Sequence, residues 1–541
     1  MTPQIKKIHI LLVVAQICLC GYKPSGSGHQ PNSFSGTATA SSKTQGVVEA
    51  SVNIPEPSEI RSINGRLDVT LEGKPSKVIV AGKTFVSNVF NGSYIPPVLV
   101  VQRGDEVRIR FVNNVGKADI EIDGPQPSNI HTHGMAISPQ QPADNAFVVL
   151  PSGASSGKMN GSMPHGHDMV AETPKSFPDG SGLQSANVYE YRWKVPPDHA
   201  QGLHWYHPHA HGMVEPQVLS GMSGLLVVDG FIQDHYPELA GLKVRRLLLK
   251  DIDLPGAKDG DPKTKTINGV SGGIMHMQPG EHQIWEIGNV GSDAFFDLAL
   301  DGHQFWILGH DGNILLKPVL AKSLFLPAGA RVTVVVQAGA KGSYALRSLD
   351  VDTGPAGDPN PMVILGKVVV NGPSMDGTAK NLRLEQKAVN RSTIQPVLQD
   401  VISLPVTRKR TITFSESRDG KTFYIDGKEF DPARDDITVH VGDVEEWTLL
   451  NTTTERHIFH IHQLDFLVEK INENDPDATG LRDTIDLPYA IKGKPGMVRL
   501  KIPFTNPLIV GRFPYHCHIL EHEDHGMMAT VRVLPKVIST P

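Results

Sequence analysis

Cysteine is scarce in this sequence: Cys18, Cys20 and Cys517 are the only three among 541 residues. Two of them lie in an N-terminal segment that we expect to be processed, so a disulfide framework is excluded. Basic residues are not in excess either, because 51 Lys and Arg stand against 57 Asp and Glu, for a net charge of −6. This balance argues against nucleic acid or an anionic membrane face as the partner and favours a small molecule or an ion.

The N-terminal apolar run, Ile10 to Ile17, follows Lys6 and Lys7 and is too short to span a bilayer. This charge order predicts an export signal over residues 1–20, and lipid attachment at Cys20 is an alternative to simple cleavage. Residues 21–52 are rich in Ser, Gly and Thr and are expected to form a flexible linker. We therefore expect a periplasmic, cell-envelope or secreted protein.

A strand-like phrase occurs three times, in Arg103–Asn114, Pro279–Asn289 and Val441–Asn451. Each copy begins with a Gly turn and continues with apolar residues at every second position, the period of a half-buried strand. Glycine (52) and proline (41) make up about 17 % of the chain, against roughly 12 % on average, which indicates many turns and short strands. The repeat predicts three β-sandwich domains at 53–235, 236–372 and 410–541, with a crossing linker at 373–409.

Histidine is concentrated, since thirteen of the 24 lie in the windows 131–133, 204–211, 457–462 and 516–525. The form His-X-His occurs as His131/His133, His207/His209, His460/His462 and His516/His518. Residues i and i+2 of a strand point the same way, so each pair can present two imidazoles to one place. The pairs belong to the first and last domains, which indicates a metal cluster where these two domains meet.

Imidazole suits Zn, Cu, Fe and Ni alike, so the pairs alone do not identify the metal. Cys517 with His457, His522 and Met527 forms the His₂Cys set with a weak thioether that is typical of a blue-copper site. On a strand, Cys517 faces away from His516 and His518, so a path of a few covalent bonds would join that copper to the cluster.

These four motifs, in this order, resemble those of the multicopper oxidases, and in particular the three-domain laccase-like group, over roughly Asn53 to Val537. The resemblance implies an all-β fold of three consecutive cupredoxin-like Greek-key sandwiches that binds four coppers. The implied ligands are His457, Cys517, His522 and Met527 for type 1 copper, His131 and His460 for type 2, and His133, His207, His209, His462, His516 and His518 for the type 3 pair.

The resemblance also implies the reaction, in which four one-electron oxidations of a reductant are coupled to reduction of O₂ to two waters. Cys517 would carry the electrons, and Asp144 and Glu523 resemble the family's proton-supplying acids. The expected reductant is a phenol, another aromatic compound or a low-valent metal such as Cu(I), and we expect a monomer. We expect His204, His211 and His525 to be packing or surface residues.

Two questions stay open at this level. The stretch 152–186 carries Met159, Met163, His165, His167 and Met169, which are ligand types for Cu(I), but an insertion with incidental methionines is the alternative. The alternative function is a copper-sequestering or copper-tolerance protein without turnover. A copper nitrite reductase or a zinc hydrolase would leave the eight cluster histidines or Cys517 unexplained.

Overall fold

The computed structural model describes residues 52–154, 180–258, 260–375 and 396–536. Within them, strands form three successive pairs of sheets, and the all-β sandwich prediction is confirmed. The predicted signal, the 21–52 linker except its last residue, and Met159, Met163, His165, His167 and Met169 lie outside the described residues. None of the helices in the described ranges has the length and apolar character needed to cross a membrane.

The first sandwich has a four-stranded sheet in the order β3-β2-β5-β9, a five-stranded sheet in the order β1-β4-β11-β10-β6, and the small pair β7-β8. Its strands are β1 (Glu59–Arg61), β2 (Arg66–Val80), β3 (Lys83–Phe90), β4 (Val98–Val101), β5 (Glu106–Asn113), β6 (His131–His133), β7 (Val148–Val149), β8 (Gly182–Leu183), β9 (Val188–Lys194), β10 (Gly202–His207) and β11 (Gly224–Val228). Helices α1 (Val214–Ser220) and α2 (Phe231–His235) and a 3-10 turn (Pro237–Leu239) complete it.

The second sandwich pairs a six-stranded sheet, β13-β12-β15-β20-β17-β18, with a five-stranded sheet, β14-β22-β21-β16-β19. The strands are β12 (Lys243–Ile252), β13 (Thr264–Ile267), β14 (Gly273–Met277), β15 (His282–Asn289), β16 (Phe296–Leu300), β17 (Phe305–His310), β18 (Asn313–Ala321), β19 (Leu324–Leu326), β20 (Arg331–Gln337), β21 (Gly342–Ser348) and β22 (Val363–Val370). Helix α3 (Pro396–Ser403) lies within the predicted crossing linker.

The third sandwich repeats this plan, with the sheets β24-β23-β26-β31-β28-β29 and β25-β33-β32-β27-β30. The strands are β23 (Arg408–Glu416), β24 (Phe423–Ile425), β25 (Ile437–His440), β26 (Asp443–Asn451), β27 (His457–Ile461), β28 (Phe466–Ile471), β29 (Leu481–Arg482), β30 (Thr484–Leu487), β31 (Gly496–Phe504), β32 (Gly511–Cys517) and β33 (Met528–Leu534). A 3-10 turn (Pro507–Ile509) and helix α4 (Leu520–Asp524) flank β32.

The three copies of the repeated phrase form equivalent strands, β5, β15 and β26. Each runs between one parallel and one antiparallel neighbour, namely β2 and β9, β12 and β20, and β23 and β31. The residue five positions after the repeat glycine is fully buried in every copy, as Ile109, Trp285 and Trp447. The predicted alternation therefore places a large apolar side chain at the same point of each sandwich core.

A buried lysine of β12 joins the first and second sandwiches. The Lys250 Nζ donates hydrogen bonds to the carbonyl oxygens of Tyr94, Gly221 and Ser223 at 3.0, 3.0 and 2.8 Å. The side chain is 1 % exposed, so water cannot replace these bonds if the ammonium group is removed.

We predict that Lys250→Met lowers the free energy of unfolding by about 2–4 kcal/mol, because three buried carbonyl oxygens lose their donor. Urea unfolding followed by tryptophan fluorescence measures the change. The matched control is Lys317→Met on β18, where the lysine is exposed and a change below about 0.5 kcal/mol is expected. Equal stabilities of the two variants would contradict this role for Lys250.

Candidate metal centre

Two neighbouring strands in each outer sandwich carry the histidine pairs. In the first sandwich, β6 lies antiparallel to β10, with His131 opposite His207. In the third, β27 lies antiparallel to β32, with His460 opposite His516. Because side chains opposite each other in register share a sheet face, each sandwich gathers its imidazoles at one edge.

The two edges meet, and we call the resulting group of side chains the eight-histidine cluster. The ring of His133 stacks on His460 with centroids 3.7 Å apart, and His131 stacks on His462 at 3.8 Å. Rings of the first sandwich thus stack on rings of the third, and together they form one buried group. Its members, all at most 2 % exposed, are His131, His133, His207, His209, His460, His462, His516 and His518.

Ring nitrogens converge inside the cluster. The Nε2 atoms of His209, His462 and His516 lie 3.1 to 3.3 Å from one another. Three nitrogens bound to one ion at about 2 Å would have similar separations. Neutral imidazole has a single N–H, so these three atoms cannot all satisfy one another by hydrogen bonds. The donor set fits a metal ion.

The opposite ring nitrogens are held by the protein, which orients each ring. His131 Nδ1 bonds Asp144 at 3.0 Å, His207 Nδ1 bonds the Pro208 carbonyl oxygen at 2.8 Å, and His460 Nδ1 bonds the Asp483 carbonyl oxygen at 2.8 Å. The other nitrogen of each ring, Nε2, is buried without a hydrogen-bond partner among the described residues. This is the pattern of metal-binding histidines, in which one nitrogen is anchored and the other is left for the ion.

Burial also keeps several of these imidazoles neutral. It lowers the pKa values of His133, His207 and His462 well below the ordinary histidine value, and neighbouring histidines lower them further. The pKa of His209 falls to about 3 for the same main reason. Neutral rings have free lone pairs at neutral pH, so these four histidines do not need to lose protons before they bind a cation.

A second donor set lies in the core of the third sandwich. The Nδ1 atoms of His457 and His522 are 3.0 Å apart, and Cys517 Sγ is 3.7 Å from each. Met527 is fully buried in the same core, and its carbonyl oxygen accepts a hydrogen bond from the Cys517 N–H. Burial raises the pKa of the Cys517 thiol, so thiolate forms there only with a cation bound next to it.

Both predicted acids lie against the cluster. Asp144 accepts a hydrogen bond from Gln463 as well as from His131. The Glu523 carboxylate oxygens lie 3.3 Å from His209 Nε2 and 3.0 Å from His516 Nδ1. The two carboxylates therefore contact different histidines of the eight-histidine cluster.

The next residue, Asp524, links the outer sandwiches. Its carboxylate accepts the backbone N–H groups of Gly212 and Glu215 at the start of α1, at 2.7 and 2.8 Å. A side chain of the third sandwich thus caps a helix of the first, next to the cluster.

A third acid was missed at the level of sequence. The carboxylate of Asp483, just before β30, accepts a hydrogen bond from His133 Nε2 at 3.1 Å. Its neighbours in sequence, Arg482 and Thr484, form no recognisable motif, and only the pairing of β30 with β27 brings it to the cluster. No local signal would have identified it.

The three additional histidines contribute no atom to the groups of converging donor atoms among the described residues. His204 packs against His199 with centroids 5.2 Å apart, and His211 packs against Phe430 at 4.7 Å. His525 is half-buried, and its Nδ1 bonds the Glu521 carbonyl oxygen at 2.7 Å.

A cavity of about 270 Å³ opens beside His522, between the second and third sandwiches. Glu455 Oε1 lies 3.6 Å from His522 Nε2, and the ring of Phe423 stacks on His522 at 4.0 Å. Charged residues line the walls: Asp261, Asp293, Asp358, Glu416, Glu455, Glu521, Lys263, Lys265 and Arg456. Acids outnumber bases by two to one.

Three cupredoxin-like sandwiches, with a His₂Cys set in the last and a histidine cluster between the outer two, define a copper oxidase. Two family profiles, both described as "Multicopper oxidase", match residues 230–365 and 402–537, together about half of the chain. The chain belongs to the multicopper oxidase family, so it is an oxidoreductase with copper as its cofactor.

The chain is similar in sequence to multicopper oxidases and laccases over most of their length. A multicopper oxidase of Staphylococcus aureus is 26 % identical over 487 residues, 87 % of this chain and 89 % of the relative. A laccase of Bacillus subtilis is 24 % identical over 498 residues, 81 % and 88 % of the two chains. The solved structure of a Campylobacter jejuni multicopper oxidase, described as a metallo-oxidase, has a TM-score of 0.67 at 23 % identity, covering 90 % of this chain and 96 % of that one.

We predict that Cys517→Ser removes the intense blue absorption and leaves about three coppers per chain instead of about four, because only one donor set contains the thiolate. Metal analysis together with visible and EPR spectra tests this. The control is His525→Ala, which should keep both the colour and the copper content. Wild-type rates of substrate oxidation by the Ser variant would contradict an electron path through Cys517.

Proposed function

We propose that reducing equivalents enter at His522, pass through Cys517 and its flanking histidines, and reach the eight-histidine cluster, where O₂ is reduced to two waters. One observation carries this proposal. Cys517 faces His457 and His522, while the adjacent His516 and His518 belong to the cluster. Copper would be held by these donor sets and would supply the one-electron steps and the binding of O₂.

Proton supply is proposed for the two acids beside the cluster. Forming two waters from O₂ consumes four protons, and a cluster this deeply buried needs side chains that deliver them. Glu523 lies between His209 and His516, and Asp144 lies against His131. Their contacts with different histidines support two separate routes.

We further propose a metal ion as the reductant, in preference to a phenol. The cavity beside His522 is lined by six carboxylates, and Glu455 lies nearest to the ring that would accept the electron. No methionine of the described residues lines it, so its ligands are oxygen atoms, which suit Fe(II) or Mn(II) better than Cu(I). The Campylobacter jejuni structure's description as a metallo-oxidase is consistent with this.

A phenol remains the second candidate, because Phe423 and Phe295 give the same cavity apolar walls. The sequestration alternative is not favoured, since the family comparisons support oxidase function. Metal storage alone would not require Cys517 between two cluster histidines.

For localisation we propose export to the periplasm, the cell envelope or the medium, on the basis of Lys6, Lys7 and the apolar run that follows. Mass spectrometry of the mature N-terminus, after cell fractionation, distinguishes cleavage from lipid attachment at Cys20. A monomer is proposed for the mature protein, and sedimentation equilibrium tests it. An unprocessed chain in the cytoplasm would contradict export.

We predict that the double variant Glu455→Gln, Glu416→Gln lowers kcat/KM for Fe(II) by at least about tenfold and for a dimethoxyphenol by less than about threefold, because only the cation needs the carboxylates. Oxygen uptake with Fe(II), Cu(I) and the phenol, under one set of conditions, measures this. Glu106→Gln, at an exposed position of β5, is the control.

Two results would contradict the metal-ion proposal. One is a wild-type preference for the phenol, which would make the protein a laccase. The other is an equal loss with all three reductants in the double variant, which would assign Glu455 to the electron-accepting site itself. No oxygen uptake with any of them would contradict the oxidase reaction as proposed.

A further inference from the structure

The second sandwich supplies no histidine or cysteine to the converging donor groups of the described residues, yet it touches the cluster. The loop between β19 and β20 brings Gly329 against the cluster rings. A Cβ on Gly329 would lie 3.2 Å from His133 Cε1 and from His518 Cδ2, and the residue has a φ of +86°. The backbone conformation favours glycine at this point, and the cluster rings leave little space for a Cβ atom.

Two residues later, Arg331 is completely buried and connects all three sandwiches. Its Nε donates to the Leu203 carbonyl oxygen of the first sandwich at 3.1 Å, and one Nη donates to the Gly329 carbonyl oxygen of the second at 3.0 Å. Its two Nη atoms bind both carboxylate oxygens of Asp483 of the third, at 2.7 and 2.6 Å. A bidentate pair of this kind fixes the plane of the carboxylate, as well as its position.

Asp483 in turn sets the orientation of two cluster rings. Its Oδ1 accepts from His133 Nε2 at 3.1 Å, and its carbonyl oxygen accepts from His460 Nδ1 at 2.8 Å. His133 Nδ1 and His460 Nε2 are thereby left without a hydrogen-bond partner in the described structure. These two rings stack on each other, and the Thr484 hydroxyl lies near the same two nitrogens, 3.2 Å from His133 Nε2 and 3.4 Å from His460 Nδ1. Asp483 and Thr484 together determine which nitrogen each ring presents to the cluster.

We propose that Arg331 is a positioning residue of the cluster, supplied by the sandwich that binds no copper. The guanidinium group holds the Asp483 carboxylate in the plane that accepts the His133 Nε2–H, and so directs His133 Nδ1 to the metal. Lysine could keep the charge but not the planar two-point contact. The inference depends on copper in the cluster and is independent of the reductant.

The residue after His133 supports the same arrangement. Gly134 has a φ of +85°, and a Cβ there would lie 2.7 Å from Asp483 Oδ2 and 2.9 Å from His204 Nδ1, and would also collide with an Arg331 Nη. Such contacts are too close for any side chain. The backbone at the end of β6 therefore leaves the space that the Arg331–Asp483 pair occupies.

The test compares Arg331→Lys with Arg246→Lys. Arg246 also belongs to the second sandwich and pairs with buried Glu286 at 2.8 Å, but this pair does not contact the cluster. Full-length apo-protein is titrated with Cu(I) against a chromophoric chelator. Copper-loaded protein is then examined by EPR for its type 2 signal and by visible absorption for its type 1 signal.

For Arg331→Lys we expect the copper affinity of the cluster to fall about 10- to 100-fold and the type 2 EPR parameters to change. The blue type 1 site, in the core of the third sandwich, should keep its spectrum and its affinity within about twofold. Arg246→Lys should lower the melting temperature while all copper sites keep their affinities and spectra. If the role of Arg331 were purely structural, Arg331→Lys would likewise lower the melting temperature and leave all copper affinities and spectra unchanged.

The proposal is overturned if Arg331→Lys binds copper in the cluster with wild-type affinity and an unchanged type 2 signal. It is equally overturned if the type 1 site and the cluster weaken to the same extent. Should the Lys variant fail to fold, Asp483→Asn undergoes the same measurements, because it keeps the shape of the side chain and loses the two-point contact. Wild-type copper binding by the Asn variant would also overturn the proposal.

Discussion

The main physical constraint in this molecule is a set of imidazole nitrogens that face one another in a buried space. Burial keeps His209 and His462 neutral, and their Nε2 atoms lie 3.1 to 3.3 Å from each other and from the Nε2 atom of His516. Because a neutral imidazole has a single N–H, hydrogen bonds cannot satisfy all three atoms. A buried polar atom without a partner costs about 1–3 kcal/mol. The contact between the first and third sandwiches therefore carries an unfavourable term that a bound cation removes, and copper binding should stabilise this contact as well as supply the chemistry.

The two faces of a strand explain why the two donor sets lie so close together. On β32, Cys517 points into the core of the third sandwich, among residues such as Phe459 and Met527, while His516 points to the cluster at its edge. The core side is dry, which keeps the thiol protonated until a cation binds. A single backbone segment thus separates a site enclosed by one domain from a site shared by two. The electron path needs no additional element.

The features predictable from the sequence are those that depend on residues close together in the chain. His-X-His pairs and the alternation in β5 depend on spacings of two residues, and this spacing does not change with the rest of the fold. The three equivalent strands followed from a repeated phrase for the same reason. By contrast, Asp483 reaches His133, 350 residues away, only through the register of β30 on β27 and the contact between domains. Glu455 likewise becomes notable only because Glu416 and Glu521 line the same cavity.

The second sandwich shows most clearly what could not be predicted from the sequence. Its sequence contains the strand repeat without the histidine pairs, which predicts a domain without copper ligands and suggests little more than a spacer. Yet Arg331 is the first residue of β20, in the central part of a six-stranded sheet. Its backbone pairs with Gly288 of β15 on one side and accepts a hydrogen bond from the Asp311 N–H on the other. An arginine on a free linker would lose side-chain and backbone entropy each time it bound Asp483. On this strand most of that ordering has already occurred on folding. This gives a physical reason for a complete folded domain, the second sandwich, between the two that hold the metal.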